Sequence, residues 1–111
     1  SEAKDLMREE AGGSDNLTEL EQLISDGEDP LISNEVLSSS VLKDKLMLGG
    51  MSSRAFGQLL TDAGFTTIGK FRISGDQKDP NVTYYTRNYR MYQGVDKLAL
   101  IRKLAEGDGL D

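Results

Sequence analysis

The chain contains neither cysteine nor histidine. Without thiols there can be no disulfide framework and no thiolate zinc site. Without imidazole, Ser-His-Asp and Cys-His nucleophile pairs and histidine-bound metals are excluded, which removes most hydrolases. No phosphate loop of the form G-x-x-x-x-G-K-[ST] occurs, and no G-x-G-x-x-G follows a strand. Long apolar runs are also missing: nothing approaches the ~18 residues of a membrane helix, and the N-terminus lacks the basic-then-apolar order of a signal peptide. These absences predict a soluble cytoplasmic protein that is not an enzyme, with no cofactor and no membrane partner. Ser1 in place of Met reads as a processed chain or a domain cut from a longer one.

The remaining polar groupings have simpler explanations than chemistry. Asp76, Asp79 and Asn81 resemble part of a calcium loop, but the glycine and the closing glutamate are lacking, so they read as turn residues. Glu9-Glu10 and Glu28-Asp29 lie in polar stretches and read as solvation rather than acid/base machinery. The N-x-T sequons at Asn16 and Asn81 read as chance occurrences.

What the chain does have is charge, unevenly distributed. The total of −6 conceals three blocks. Residues 1–42 hold two basic and eleven acidic side chains (−9), residues 43–103 hold eleven basic and five acidic (+6), and the last eight residues contribute −3. Because salt limits the reach of distant charges to about 10 Å, a basic middle can attract phosphate although the whole molecule is anionic.

At 111 residues and 37% hydrophobic content, the chain fits one compact domain with polar extensions. Gly12, Gly13 and Ser14 predict a flexible acidic linker over 1–15, a folded domain over 16–105, and a disordered tail over 106–111. Leu17, Leu20 and Ile24 share a helical face behind the Thr18/Glu21 capping-box spacing, and Gly27 stops that helix. Leu31–Leu37 reads as a brief strand or extended entry. Ser39 or Ser40 is expected to cap a second helix with Val41, Leu42 and Leu46 inside, ended by Gly49-Gly50; a single longer helix from an Asn34 cap is equally compatible. A third helix follows a Ser52 or Ser53 cap, with Phe56, Leu59, Leu60 and Ala63 on one face and Gly64-Phe65 as its C-terminal signal. Beyond Thr66 the pattern alternates through Ile68, Phe71 and Ile73, then turns at 74–81. Val82–Tyr92 completes a predicted hairpin, and Asp96 caps a last helix through Leu104. That helix is apolar on more than one side, so it either folds back or meets a second chain.

Helix, short strand, helix, turn, helix and hairpin is the order of an α+β winged helix-turn-helix with a three-helix core, a β-hairpin wing and a C-terminal helix. DNA is the partner this order predicts. Arg54, Gln58 and Thr61, at i, i+4 and i+7, would face the major groove, where Arg pairs with guanine and Gln with adenine. Lys43 from the second helix, and Lys70, Arg72, Lys78, Arg87 and Arg90 on the wing, would meet phosphates. Tyr84, Tyr85, Tyr89 and Tyr92 read as hairpin packing more than as a base-stacking platform. The rival reading is a protein-interaction module in which the Asp96–Leu104 helix docks a helicase, a loader or a second copy as a homodimer.

The stretch MSSRAFGQLLTDAGFTTIGKFRISG, Met51 to Gly75, resembles the C-terminal winged-helix domains of phage and plasmid replicative primase-helicases. The resemblance lies in Ser52, Arg54, Phe56 and Gly57 at the helix start, then Leu60, then Gly64-Phe65 at its end, then the basic strand residues Lys70 and Arg72. It extends loosely over Glu19 to Tyr92. The acidic first third and the lack of an aromatic-glycine wing ending depart from the pattern. The resemblance implies a DNA-binding module of a mobile-element replication protein that recognises origin DNA or helps place a helicase on it.

Overall fold

The computed structural model describes residues 16–74 and 77–107, so the predicted linker at 1–15, the loop tip at 75–76 and the last four residues of the predicted tail lie outside the described residues. Within them the chain is α+β, with four α-helices and a three-stranded antiparallel sheet. Helix α1 covers 16–26 and is followed by β1 (Leu37–Ser38), α2 (Ser39–Lys45), α3 (Ser53–Asp62), β2 (Thr66–Phe71), β3 (Val82–Thr86), a 3-10 turn at Tyr89–Tyr92, and α4 (Lys97–Ala105). The spatial strand order is β1-β3-β2.

Local chemistry explains most boundaries. The hydroxyls of Ser38 and Ser52 and the carboxylate of Asp96 accept the N–H groups of Val41, Ala55 and Ala99, capping α2, α3 and α4. At the end of α3, Phe65 N–H donates to the Leu60 carbonyl and Gly64 N–H to that of Thr61, each at 3.0 Å. With Gly64 at φ 93°, this is a Schellman closure, and Phe65 packs in the same cluster as Leu60. α2 closes the same way, with Leu48 donating to Lys43 and Met47 to Asp44, but the left-handed position is held by Met47 at φ 57°.

Three sequence expectations shift. α1 is already helical at residue 16, so Thr18 sits inside the helix. The cap of α2 is Ser38, one residue before the expected pair. The run 31–37 is not a strand of its own length: Ser38 N–H donates to the Leu31 carbonyl at 2.9 Å, folding the segment into a tight loop that leaves only Leu37–Ser38 to pair with β3.

The hydrophobic interior has two parts. Leu20, Ile32, Leu37, Leu42, Leu46, Phe56, Leu60 and Phe65 join α1, α2 and α3, while Val36, Ile68, Tyr84, Tyr92 and Ile101 lie between the sheet and α4. Ile101 is fully buried and Leu100 and Leu104 pack beside it, so α4 folds back onto its own chain. Each fully buried aliphatic side chain contributes ~1.5–3 kcal/mol relative to exposure.

A β-bulge reconciles the two apolar phases of β2. Thr67 pairs with Tyr85 and Gly69 with Tyr84, which leaves Ile68 as the extra residue. Ile68 and Phe71 are three apart, an odd spacing that a regular strand would send to opposite faces; the bulge brings both to the second cluster. Gly69 adopts φ 151°, and a Cβ there would come within 2.9 Å of the Phe71 ring. Only glycine fits both constraints.

Candidate nucleic-acid interface

Two surfaces converge at the start of α3. Along the outer side of that helix, Arg54, Gln58 and Thr61 are all exposed, as their spacing predicted. Two of them also serve the helix itself: Gln58 donates to the Asp62 carboxylate at 2.9 Å, and the Thr61 hydroxyl donates back to the Gly57 carbonyl at 2.9 Å. Arg54 makes no hydrogen bond or ion pair through its side chain among the described residues.

The second surface is the sheet face opposite α4. Phe71 and Ile73 pack into the cluster beneath α4, so the alternating residues Lys70 and Arg72 project to the other side. Lys70 lies directly opposite Thr83 of β3, and cross-strand partners share a face. Thr83 in turn lines a concavity with Ser39, Lys43, Ser53, Phe56 and Tyr85, which joins the hairpin to the first turns of α2 and α3. Lys43 holds its ammonium 5.4 Å from the centroid of the Phe56 ring. The fold therefore brings Lys43 and Lys70 to the side on which α3 begins, with Arg72 two residues beyond Lys70 in the chain.

The Arg72 guanidinium is half-buried, and its Nε is shielded from water with no hydrogen-bond partner among the described residues. A buried guanidinium nitrogen left unsatisfied is costly. Lys78 is exposed near the loop tip and makes contacts of its own.

Two predicted phosphate ligands are placed elsewhere. Arg87 faces α1: its Nε donates to the Ala63 carbonyl at 3.0 Å, Nη1 donates to the Asn34 side chain at 2.9 Å, and Nη1 and Nη2 pair with the Glu21 carboxylate. Its guanidinium also lies 4.5 Å from the Phe65 ring centroid. The Arg87 guanidinium holds the Glu21 carboxyl below the usual carboxylate range, chiefly through its hydrogen bond; burial opposes this, and the guanidinium's charge adds a smaller lowering. Arg90 leaves the hairpin because β3 stops at Thr86. There the Thr86 hydroxyl donates to the Asn34 carbonyl at 3.3 Å and accepts the Asn88 N–H at 2.9 Å, turning the chain into the 3-10 segment. Arg90 is exposed on that segment rather than on a hairpin strand.

The tyrosines divide as well. Tyr84 and Tyr92 are core residues, and the Tyr92 hydroxyl donates to the Glu35 carbonyl at 2.8 Å. Burial raises the phenols of Tyr84, Tyr85 and Tyr92, so all three stay protonated donors at neutral pH. Tyr89 carries the Lys97 ammonium 5.7 Å from its ring centroid. The sequence reading passed over Ser39, Ser53, Thr83 and Tyr85 as site residues; the doubled serines at each cap were the available signal, since one hydroxyl caps and the next is spare.

Among the described residues no cluster of three carboxylate, histidine or cysteine side chains could hold a metal, and no helix is long and apolar enough to cross a membrane. No protein-family model, curated protein or solved structure matches this chain.

Proposed function

We propose that this chain is a winged-helix DNA-binding module without catalytic activity, with α3 entering the major groove and the β2–β3 hairpin acting as the wing. The element order and the β1-β3-β2 arrangement support the winged-helix reading. The observation that carries the functional reading is the placement of Lys43 and Lys70, with Arg72 beyond Lys70, around the start of α3, whose exposed side carries Arg54, Gln58 and Thr61. None of these four cations has an ion pair among the described residues. Arg54 and Gln58 lie in the first two turns of α3, the part of a recognition helix that reaches base edges. Lys43, Lys70 and Arg72 would hold phosphates on either side and set the register. Arg87 has no part in this surface, because its donors are committed internally.

On the resemblance of Met51–Gly75, the parent would be a phage- or plasmid-type replication protein. The rival reading, docking through α4, draws less support because the apolar side of that helix is buried against the sheet. A fluorescence-anisotropy titration of a labelled duplex at several salt concentrations tests the proposal. Affinity should fall with log salt at roughly −0.9 per phosphate contact, and the triple variant Arg54→Ala, Lys70→Ala, Arg72→Ala should reduce that slope by up to about three contacts. Absence of binding at low salt, or a triple variant indistinguishable from the parent, would overturn it.

A further inference from the structure

We infer that the concavity between the starts of α2 and α3 and strand β3 is a socket for one phosphate group. It has a volume of about 70 Å³ and is lined by Ser39, Lys43, Ser53, Phe56, Thr83 and Tyr85. Four of these six residues carry hydroxyls and one an ammonium. None of the five polar side chains makes a hydrogen bond to a described residue. At a helix start the capping hydroxyl belongs to the N-cap residue. Here capping is done one residue earlier, by Ser38 and Ser52, which leaves Ser39 and Ser53 with spare donors.

The hydroxyl-bearing residues come from three elements around one concavity. A tetrahedral oxyanion with several acceptor oxygens matches that array better than a planar carboxylate, which favours a bidentate guanidinium. Burial keeps the Tyr85 phenol protonated and therefore a donor. One ammonium balances one negative charge, which selects a phosphodiester over a doubly charged terminal phosphate. The inference rests on the DNA-binding reading for the source of that phosphodiester: the socket would grip a single backbone phosphate beside the start of α3.

The probes are inorganic phosphate and two otherwise identical duplexes, one 5′-hydroxyl and one 5′-phosphorylated. Adding inorganic phosphate, against chloride at equal ionic strength, should shift the amide signals of residues 39, 43, 53, 83 and 85. The variant Ser53→Ala, Thr83→Val removes two neutral donors from positions that neither cap nor core uses. It should bind both duplexes about tenfold more weakly, from two lost hydrogen bonds, with the salt slope unchanged. Lys43→Met should lower the slope by about one. Equal loss on both duplexes identifies the backbone phosphodiester, whereas loss confined to the 5′-phosphorylated duplex would overturn that assignment. If the hydroxyl variant binds duplex as the parent does and phosphate moves none of those signals, the socket is refuted while DNA binding stands. Phosphate shifts in a protein that binds no duplex would keep the socket and refute the DNA-binding reading.

Discussion

Replacing Arg87 by methionine would keep most of the aliphatic stem against Phe65 while deleting every polar contact of the guanidinium. The half-buried hydrogen bond to the Ala63 carbonyl is charge-assisted, and such bonds contribute ~1.5–3 kcal/mol. The contact with the Phe65 face adds ~0.5–1 kcal/mol. The Glu21 pair is discounted to ~0.2–1 kcal/mol because Glu21 is 53% exposed and solvent screens it. These share one side chain and do not simply add, so the expected loss is about 3 kcal/mol. With a urea slope of ~2 kcal/mol per molar, the unfolding midpoint should fall by about 1.5 M. Glu21→Gln should cost only a few tenths of that, since the Ala63 and Asn34 bonds persist. Anisotropy on the folded Arg87→Met protein should show duplex affinity unchanged. A midpoint shift below about 0.3 M, or a loss of DNA affinity exceeding the loss of folded protein, would refute the assignment of Arg87 to the interior.

Three further outcomes are expected. Gly69→Ala should destabilise by ~2–3 kcal/mol, because the added Cβ collides with the Phe71 ring at a φ of 151°; urea unfolding measures it, and a neutral result would contradict the bulge geometry. Met47→Gly should stabilise by ~0.5–1 kcal/mol, since Met47 occupies a left-handed C-cap position and its side chain is 89% exposed; thermal unfolding that shows a loss would mean the side chain has a structural contact. Below neutral pH, the Glu21–Arg87 contribution should be complete above the ordinary carboxylate pKa and disappear as pH falls through the depressed folded value. Glu21→Gln should therefore flatten that part of the stability profile in acid denaturation.

What could be read from the sequence was what neighbours in the chain determine. Gly64-Phe65 closes α3 as its spacing implied, and Phe56 and Leu60 are buried on one face with Arg54 and Gln58 outside. Period alone did not reveal the bulge: the odd step from Ile68 to Phe71 required an extra residue, and Gly69 was its local mark. Arg87 was out of reach for a different reason. Its partners Glu21, Asn34 and Ala63 lie 66, 53 and 24 residues away, so its commitment to the interior is a property of the assembled fold. The strand expected to run to Tyr92 failed at Thr86, where a distant carbonyl, that of Asn34, competes for the threonine hydroxyl.

The central claim, that one face carries the DNA contacts, is tested most directly by mapping amide signals of the folded domain during titration with a short duplex. Shifts should concentrate at residues 53–58, 70–72 and 83, with α1 and the outer side of α4 silent. Shifts confined to α1 and α4, with α3 and the hairpin unmoved, would contradict the account.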